Sequence, residues 1–146
     1  MTQVSRRTLP SDVHKRIYDI FTNVITEIHT ESEVRSLLED FLTPTERVML
    51  PKRPCIAFLL IKGYDQPSIA SYLNVSFTTI NRVSTALKVN GEGYQVILRR
   101  IGEHKHHGLI LEKIEEGVLA FLAEAGGPSN LWKRLQIEHR KEKLSR

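Results

Sequence analysis

Several residue types and patterns are scarce or missing in this chain of 146 residues, and each absence excludes a class of protein. The single cysteine, Cys55, cannot form an internal disulfide, which excludes a disulfide-stabilised scaffold; it is expected to be a small core residue. No apolar run approaches the ~20 residues that a membrane-spanning helix needs. The opening MTQVSRRTLP lacks the apolar segment of a secretory signal. By elimination, we expect a cytoplasmic protein without membrane association.

Familiar arrangements of catalytic and metal-binding residues are missing as well. We find no Ser/His/Asp or Cys/His set, no paired carboxylates and no glycine-rich phosphate loop, so we do not expect an enzyme. His104, His106 and His107 lie too close in sequence to enclose a tetrahedral ion without help from Glu103 or His139. A solvated loop is the better interpretation, and we predict no metal and no bound cofactor.

What the chain does contain is helical periodicity. Apolar residues recur at helical spacing, and no segment alternates as a half-buried strand does. A first amphipathic helix is indicated by Val13, Ile17, Phe21, Val24 and Ile28, and a second by Val34, Leu37, Leu38 and Phe41. Start signals are Ser11, the pair Thr30 and Glu33, and the group Thr43, Pro44 and Glu46. We therefore predict an all-α fold.

Residues 66–87, QPSIASYLNVSFTTINRVSTAL, are the most informative stretch of the chain. Gly63 should end the preceding helix, and Asp65 and Ser76 can each cap a new one. Apolar stripes on the two new helices comprise Ile69, Ala70 and Leu73, then Ile80, Val83 and Leu87. If these stripes pack together, the polar face of the second helix is free to enter a DNA major groove. The pattern predicts a helix-turn-helix.

Polar residues of the second helix have side chains suited to DNA. Thr78 and Thr79 can reach base edges, Asn81 can bind adenine, and Arg82 can bind guanine or a phosphate. Phe77 either contacts a base or packs on Tyr72. The other predicted contacts are with the DNA backbone or near the helix starts, and they are Lys52, Gln66, Ser68, Ser76 and Lys88.

Positive charge is concentrated around this motif. Residues 43–90 carry six Lys or Arg against two Asp or Glu, whereas residues 1–42 carry five against seven. A surface that faces phosphates needs such an excess, so the charge distribution agrees with a double-stranded DNA partner.

Residues 41–88, which begin FLTPTERVMLPKRP, resemble the tryptophan repressor family. The LTPxER element, the basic Arg53 ten residues after Thr43, the break at Gly63 and the spacing to the second helix carry the resemblance. It implies an intertwined homodimer and, as for the helix-turn-helix repressors in general, a roughly palindromic operator. The wide apolar faces of the first two helices independently favour a dimer. We therefore predict a transcriptional regulator of the repressor type.

The resemblance also places Thr43, Arg53 and Arg82 where the family binds its amino-acid corepressor. Two guanidinium groups facing one carboxylate would be sensible chemistry. However, Val83 stands where the family usually has glycine, and Ala86 stands where it has serine. These departures argue against tryptophan, and they leave the identity of any corepressor open. The alternative is that Arg53 and Arg82 contact phosphates or form salt bridges.

We divide the chain into a dimerisation and helix-turn-helix domain over residues 1–90 and a helical extension over residues 91–146, with a hinge at Gly91 and Gly93. The extension is expected to pack on the core or the dimer. Its predicted elements are a short helix from Tyr94 to Ile101, a polar connector from Glu103 to Gly108, a helix over 109–125, and a last helix that follows Ser129 and contains Trp132.

Other functions use a similar motif. A sigma-type promoter reader would lack the appended C-terminal helices, and a transposase subunit would carry a heptad coiled coil, which we do not find. A helical protein–protein adaptor is a further alternative, and it would show no salt-dependent affinity for DNA.

Overall fold

The computed structural model describes residues 8–124, apart from the side chains of residues 105 and 106. These residues form α1 (Ser11–Thr26), α2 (Glu31–Phe41), α3 (Pro44–Met49), α4 (Lys52–Ile61), α5 (Gln66–Leu73), α6 (Phe77–Asn90), α7 (Glu92–Glu103) and α8 (Lys105–Glu124). No strand occurs between residues 8 and 124, which confirms the all-α fold. None of the helices in this range is both long and apolar enough to cross a bilayer. The predicted last helix around Trp132 lies outside the described residues.

The chain consists of two compact units, and the division between them falls after Arg47. The sequence-based boundary at residue 90 does not coincide with this division, because α7 and α8 pack against the helices that precede them, α4 among them. Residues 91–124 therefore share one compact unit with the helix-turn-helix.

The first unit contains α1 and α2. Pro10 occupies the capping position of α1 without a side-chain bond, so the prediction that Ser11 caps this helix is wrong. The capping box of α2 is confirmed, because Thr30 accepts from the Glu33 amide at 3.2 Å and Glu33 accepts from the Thr30 amide at 2.9 Å. No residue of either helix is buried within one chain.

The second unit has its core around α4, where four consecutive residues from Ile56 to Leu59 are buried. Gly63, with φ of 88°, ends the turn after α4 in a conformation that a side chain would strain. The core is completed by Ile69 of α5, Ile80 of α6 and Val118 of α8, all fully buried. The two helices of the predicted motif thus pack into a core that also includes α8.

The junctions around α7 differ from the sequence-based expectation. Gly91 alone separates α6 from α7, and Gly93 lies inside α7. The predicted polar connector over residues 103–108 is also wrong, because only His104 separates α7 from α8. A Cβ on Gly108 would lie 3.0 Å from the carbonyl oxygen of Gly102, so the absence of a side chain at Gly108 allows the two helices to meet without a loop.

The cap of α5 yields a first prediction. The Asp65 carboxylate accepts from the Ser68 amide at 2.8 Å and from the Ser68 hydroxyl at 2.9 Å. Asp65→Ala should lower the free energy of unfolding by about 1–2 kcal/mol, because both donors lose their acceptor. Asp40→Ala, at an exposed position of α2, is the matched control and should change it by less than ~0.5 kcal/mol. Urea denaturation measures both; equal effects would contradict the role of the cap.

Candidate nucleic-acid interface

The helices α5 and α6 and the turn between them form a unit that we call the reading head. Asn74 ends α5 in the left-handed conformation, with φ of 49°, and the amide of Val75 donates to the Ala70 carbonyl at 3.1 Å. Asparagine tolerates this conformation better than most residues. Ser76 then caps α6 by accepting from the Thr79 amide at 3.3 Å. These local bonds fix the direction in which α6 leaves the turn.

The outer face of α6 presents four exposed polar residues. Thr78, Asn81, Arg82 and Thr85 line one shallow, open depression along the helix. Their spacing places them on one side, whereas Ile80 and Val83 point into the core. Thr85 was missed by the sequence analysis, although its position three residues after Arg82 continues the same stripe. This face is free of side-chain hydrogen bonds to residues 8–124.

Two other predicted contacts of α6 belong to its first turn. The Thr79 hydroxyl lies 3.1 Å from the Ser76 hydroxyl, so both side chains take part in the cap. Phe77 is 51% exposed, and the ring of Tyr72 packs instead against Phe121 of α8, with centroids 5.7 Å apart. The alternative in which Phe77 packs on Tyr72 therefore has no support from the ring contacts.

The predicted contacts at the start of α5 are less accessible. Ser68 is only 5% exposed, and its amide and hydroxyl both bind Asp65. Its side chain therefore has little surface to offer a phosphate. Gln66, the first residue of α5, is half-buried.

The three lysines near the reading head have different environments. Lys52 of α4 donates from its Nζ to the Asn74 carbonyl at 3.3 Å, which ties α4 to the turn. Lys62 lies 3.8 Å from the Glu115 carboxylate and 5.8 Å from the centre of the Phe58 ring. Lys88 is exposed and forms no ion pair with any residue between 8 and 124. Of the three, Lys88 is the one whose charge is most available to a phosphate.

The residues predicted to contact an effector do not share one environment. The Thr43 hydroxyl donates to Glu46 at 2.8 Å, and this bond and the one from the Thr43 amide lower the pKa of the Glu46 carboxyl, the amide contributing most. Arg53 and Arg82 are exposed and form no salt bridge with the described part of the chain. Val83, the residue after Arg82, is 3% exposed and belongs to the core.

The next question is whether residues 8–124 contain a cluster of metal-binding side chains. Among the residues that the structure describes, no group of three or more His, Cys, Asp or Glu side chains could hold an ion. The rings of His104 and His107 lie edge to face at 5.8 Å, and His139 lies outside the described residues.

The bond between Lys52 and the turn yields a second prediction. Lys52→Met should lower the free energy of unfolding by about 0.5–1 kcal/mol, because the Asn74 carbonyl loses its donor. Lys88→Met removes an exposed lysine of the same length and should change that free energy by less than ~0.5 kcal/mol. Chemical denaturation of the two variants measures the difference. If Lys52→Met were as stable as the wild type, Lys52 would have no role in holding the turn.

Comparison with known proteins matches this chain to a protein family. Residues 16–102, more than half of the chain, match the family described as Trp repressor protein. The match includes α2 to α6 in full and nearly all of α7, and therefore the whole reading head. Neither the comparison with curated proteins nor the comparison with solved structures finds a match. The chain belongs to the Trp repressor family, whose members are DNA-binding helix-turn-helix regulators of transcription.

Proposed function

We propose that the protein represses transcription by binding a roughly palindromic operator as a homodimer. The observation that carries this proposal is the outer face of α6, where Thr78, Asn81, Arg82 and Thr85 are exposed while Ile80 and Val83 anchor the helix in the core. A helix held in this way can enter a major groove without breaking the contacts that anchor it in the core.

The chemistry of this face suits base recognition. The amide of Asn81 can donate to and accept from adenine, and the guanidinium of Arg82 can bind guanine in two places. Thr78 offers a hydroxyl for hydrogen bonding and a methyl group for contact with thymine. Because none of these side chains has a bonding partner within residues 8–124, they lose no internal bond when they bind DNA.

Exposed cations nearby would contribute affinity that does not depend on sequence. Arg53 and Lys88 are exposed without an ion pair to the described residues, so a phosphate would not compete with an internal carboxylate for either of them. Phe77 adds an exposed apolar surface at the start of α6, where it can contact a base or a thymine methyl group.

The proposed homodimer rests on the apolar surface of the first unit. Residues that one chain leaves 40–63% exposed there are Ile17, Ile20, Phe21, Val24, Ile25, Leu38 and Phe41. A contiguous apolar surface of this kind is typical of a protein interface. In a two-fold dimer the reading heads would contact half-sites about 34–36 Å apart, the separation of successive major grooves.

We also propose that tryptophan is not the effector. Val83 stands where the family usually has glycine, and Ala86, where the family has serine, has no hydroxyl to accept a hydrogen bond from an amino group. A ligand that used Arg53 and Arg82 would therefore have to be differently shaped, and regulation without any small molecule is the simpler proposal.

Selection of binding sites from random duplex DNA tests the reading face. The wild type should enrich a palindromic sequence, and the enriched sequence should be the same with and without tryptophan. The double variant Thr78→Ala, Arg82→Ala should lose about tenfold or more of its affinity for that sequence, because each good base contact contributes roughly 1–3 kcal/mol of discrimination. Its helical content should be unchanged. Gln95→Ala, at an exposed position of α7, is the control.

Three results of that selection would contradict parts of the proposal. If the wild type enriched no sequence, the proposed operator binding would be wrong. If the double variant bound the enriched sequence as well as the wild type, α6 would not be the recognition helix. Enrichment that required tryptophan would contradict only the proposal about the effector.

A charged residue on the apolar surface of α1 tests the dimer. Ile17→Glu should convert the protein from dimer to monomer at micromolar concentration, because it would bury an unpaired carboxylate in the interface. Asn23→Glu adds the same charge on the other side of α1 and should leave the dimer intact. Sedimentation equilibrium distinguishes the two species. A wild type that sediments as a monomer would contradict the proposed dimer.

A further inference from the structure

The family match ends at residue 102, and helix α8 begins beyond it, at Lys105. Helix α8 is nevertheless part of the core. It packs against α4, α5 and α7. Its inner face consists of Val118, Leu119 and Leu122, all buried, together with the buried carboxylate of Glu115. The reading head of this protein therefore contacts a helix that the family match does not include.

The contact between α8 and α5 depends on a glycine. The side chain of Tyr72, which projects from α5, lies directly over Gly117, and a Cβ at residue 117 would collide with the Tyr72 hydroxyl. The ring of Tyr72 is held from another side by Phe121, with ring centroids 5.7 Å apart. Tyr72 thus contacts two residues of α8 that are one helical turn apart.

A second contact fixes the start of the same region. Glu115 of α8 is 3.8 Å from the Lys62 ammonium, which follows α4. Burial, reinforced by the negative charge of Glu115, raises the pKa of the adjacent Tyr64 hydroxyl. Tyr64 itself is 3% exposed and immediately precedes Asp65, the cap of α5. Residues of α8 therefore contact the chain both at the entry to α5 and near its end.

From this arrangement we propose that α8 is a positioning element of the reading head, and that Gly117 and Phe121 set the orientation of α5 and hence of α6 through Tyr72. The proposal rests on the proposed function, because it concerns how well the reading head matches DNA. Helix α5 has only eight residues and lies between α6 and α8. A displacement of α5 at Tyr72 would be transmitted to α6 through the shared core, in which Ile69 and Ile80 are both fully buried. Recognition of base edges tolerates errors of only ~0.5 Å.

The test uses the full chain and the collision at residue 117. Gly117→Ala should reduce affinity for the selected operator by roughly tenfold, since the added methyl group displaces the Tyr72 side chain and with it α5. It should leave affinity for random DNA unchanged, because no charge is altered. Adding Tyr72→Phe removes the colliding hydroxyl and should restore most of the operator affinity. Gly93→Ala is the matched control, because a Cβ at that helical position meets nothing within 4 Å.

A purely structural role would give a different result. A variant that is merely less stable has a smaller folded fraction, so its apparent affinities for operator and random DNA would fall together. Circular dichroism reports whether Gly117→Ala folds; if it does not, Phe121→Leu, which removes the ring contact with Tyr72 without overpacking, replaces it in the same comparison. An unchanged ratio of operator to random affinity in the variant used, or no rescue of Gly117→Ala by Tyr72→Phe where Gly117→Ala folds, would overturn the role of α8. Absence of operator selectivity in the wild type would instead contradict the proposed function.

Discussion

The packing of Ile69 on α5 and Ile80 on α6 into one core, with the chain reversing between them at Asn74, is the constraint on which the reading head depends. Burying the inner stripe of α6 determines which of its residues face outward. The left-handed turn determines the angle at which the helix leaves, and a residue other than glycine or asparagine would be strained there. The bond from Lys52 to the Asn74 carbonyl ties this turn to α4, which has the longest run of consecutive buried residues between positions 8 and 124.

The polar residues of α6 divide into two groups because the first amides of a helix have no helical partner. Ser76 and Thr79 satisfy that requirement with their hydroxyls, whereas Thr78, one residue away, faces outward with Arg82. The same requirement withdraws Ser68 from the surface, since its amide and hydroxyl both serve the cap formed by Asp65. Hydroxyl residues that look equivalent in the sequence thus have structural or exposed roles according to their position relative to the helix start.

The local part of this structure could be predicted from the sequence, and the part that depends on distant contacts could not. The capping boxes at Thr30 and Thr43, the caps of α5 and α6 and the break at Gly63 are set by residues within four positions of each other, so their patterns are readable. The partner of Tyr72, by contrast, is Phe121 on α8, and the partner of Lys52 is a carbonyl 22 residues away. The junction of α7 and α8 at His104 likewise depends on the close approach of Gly108 to the Gly102 carbonyl. The spacing of apolar residues in the sequence does not predict that contact.

The two units of the chain differ in how their apolar residues are covered, and this difference links assembly to recognition. Helix α1 has 16 residues and none is buried within one chain. Most of the stability of helices in proteins comes from tertiary packing of an amphipathic face rather than from intrinsic propensity. In the proposed dimer the partner chain supplies that packing, and the stability of α1 then depends on protein concentration. Because a two-fold axis also sets the separation of the reading heads, folding of α1 and recognition of a palindromic site become parts of one equilibrium.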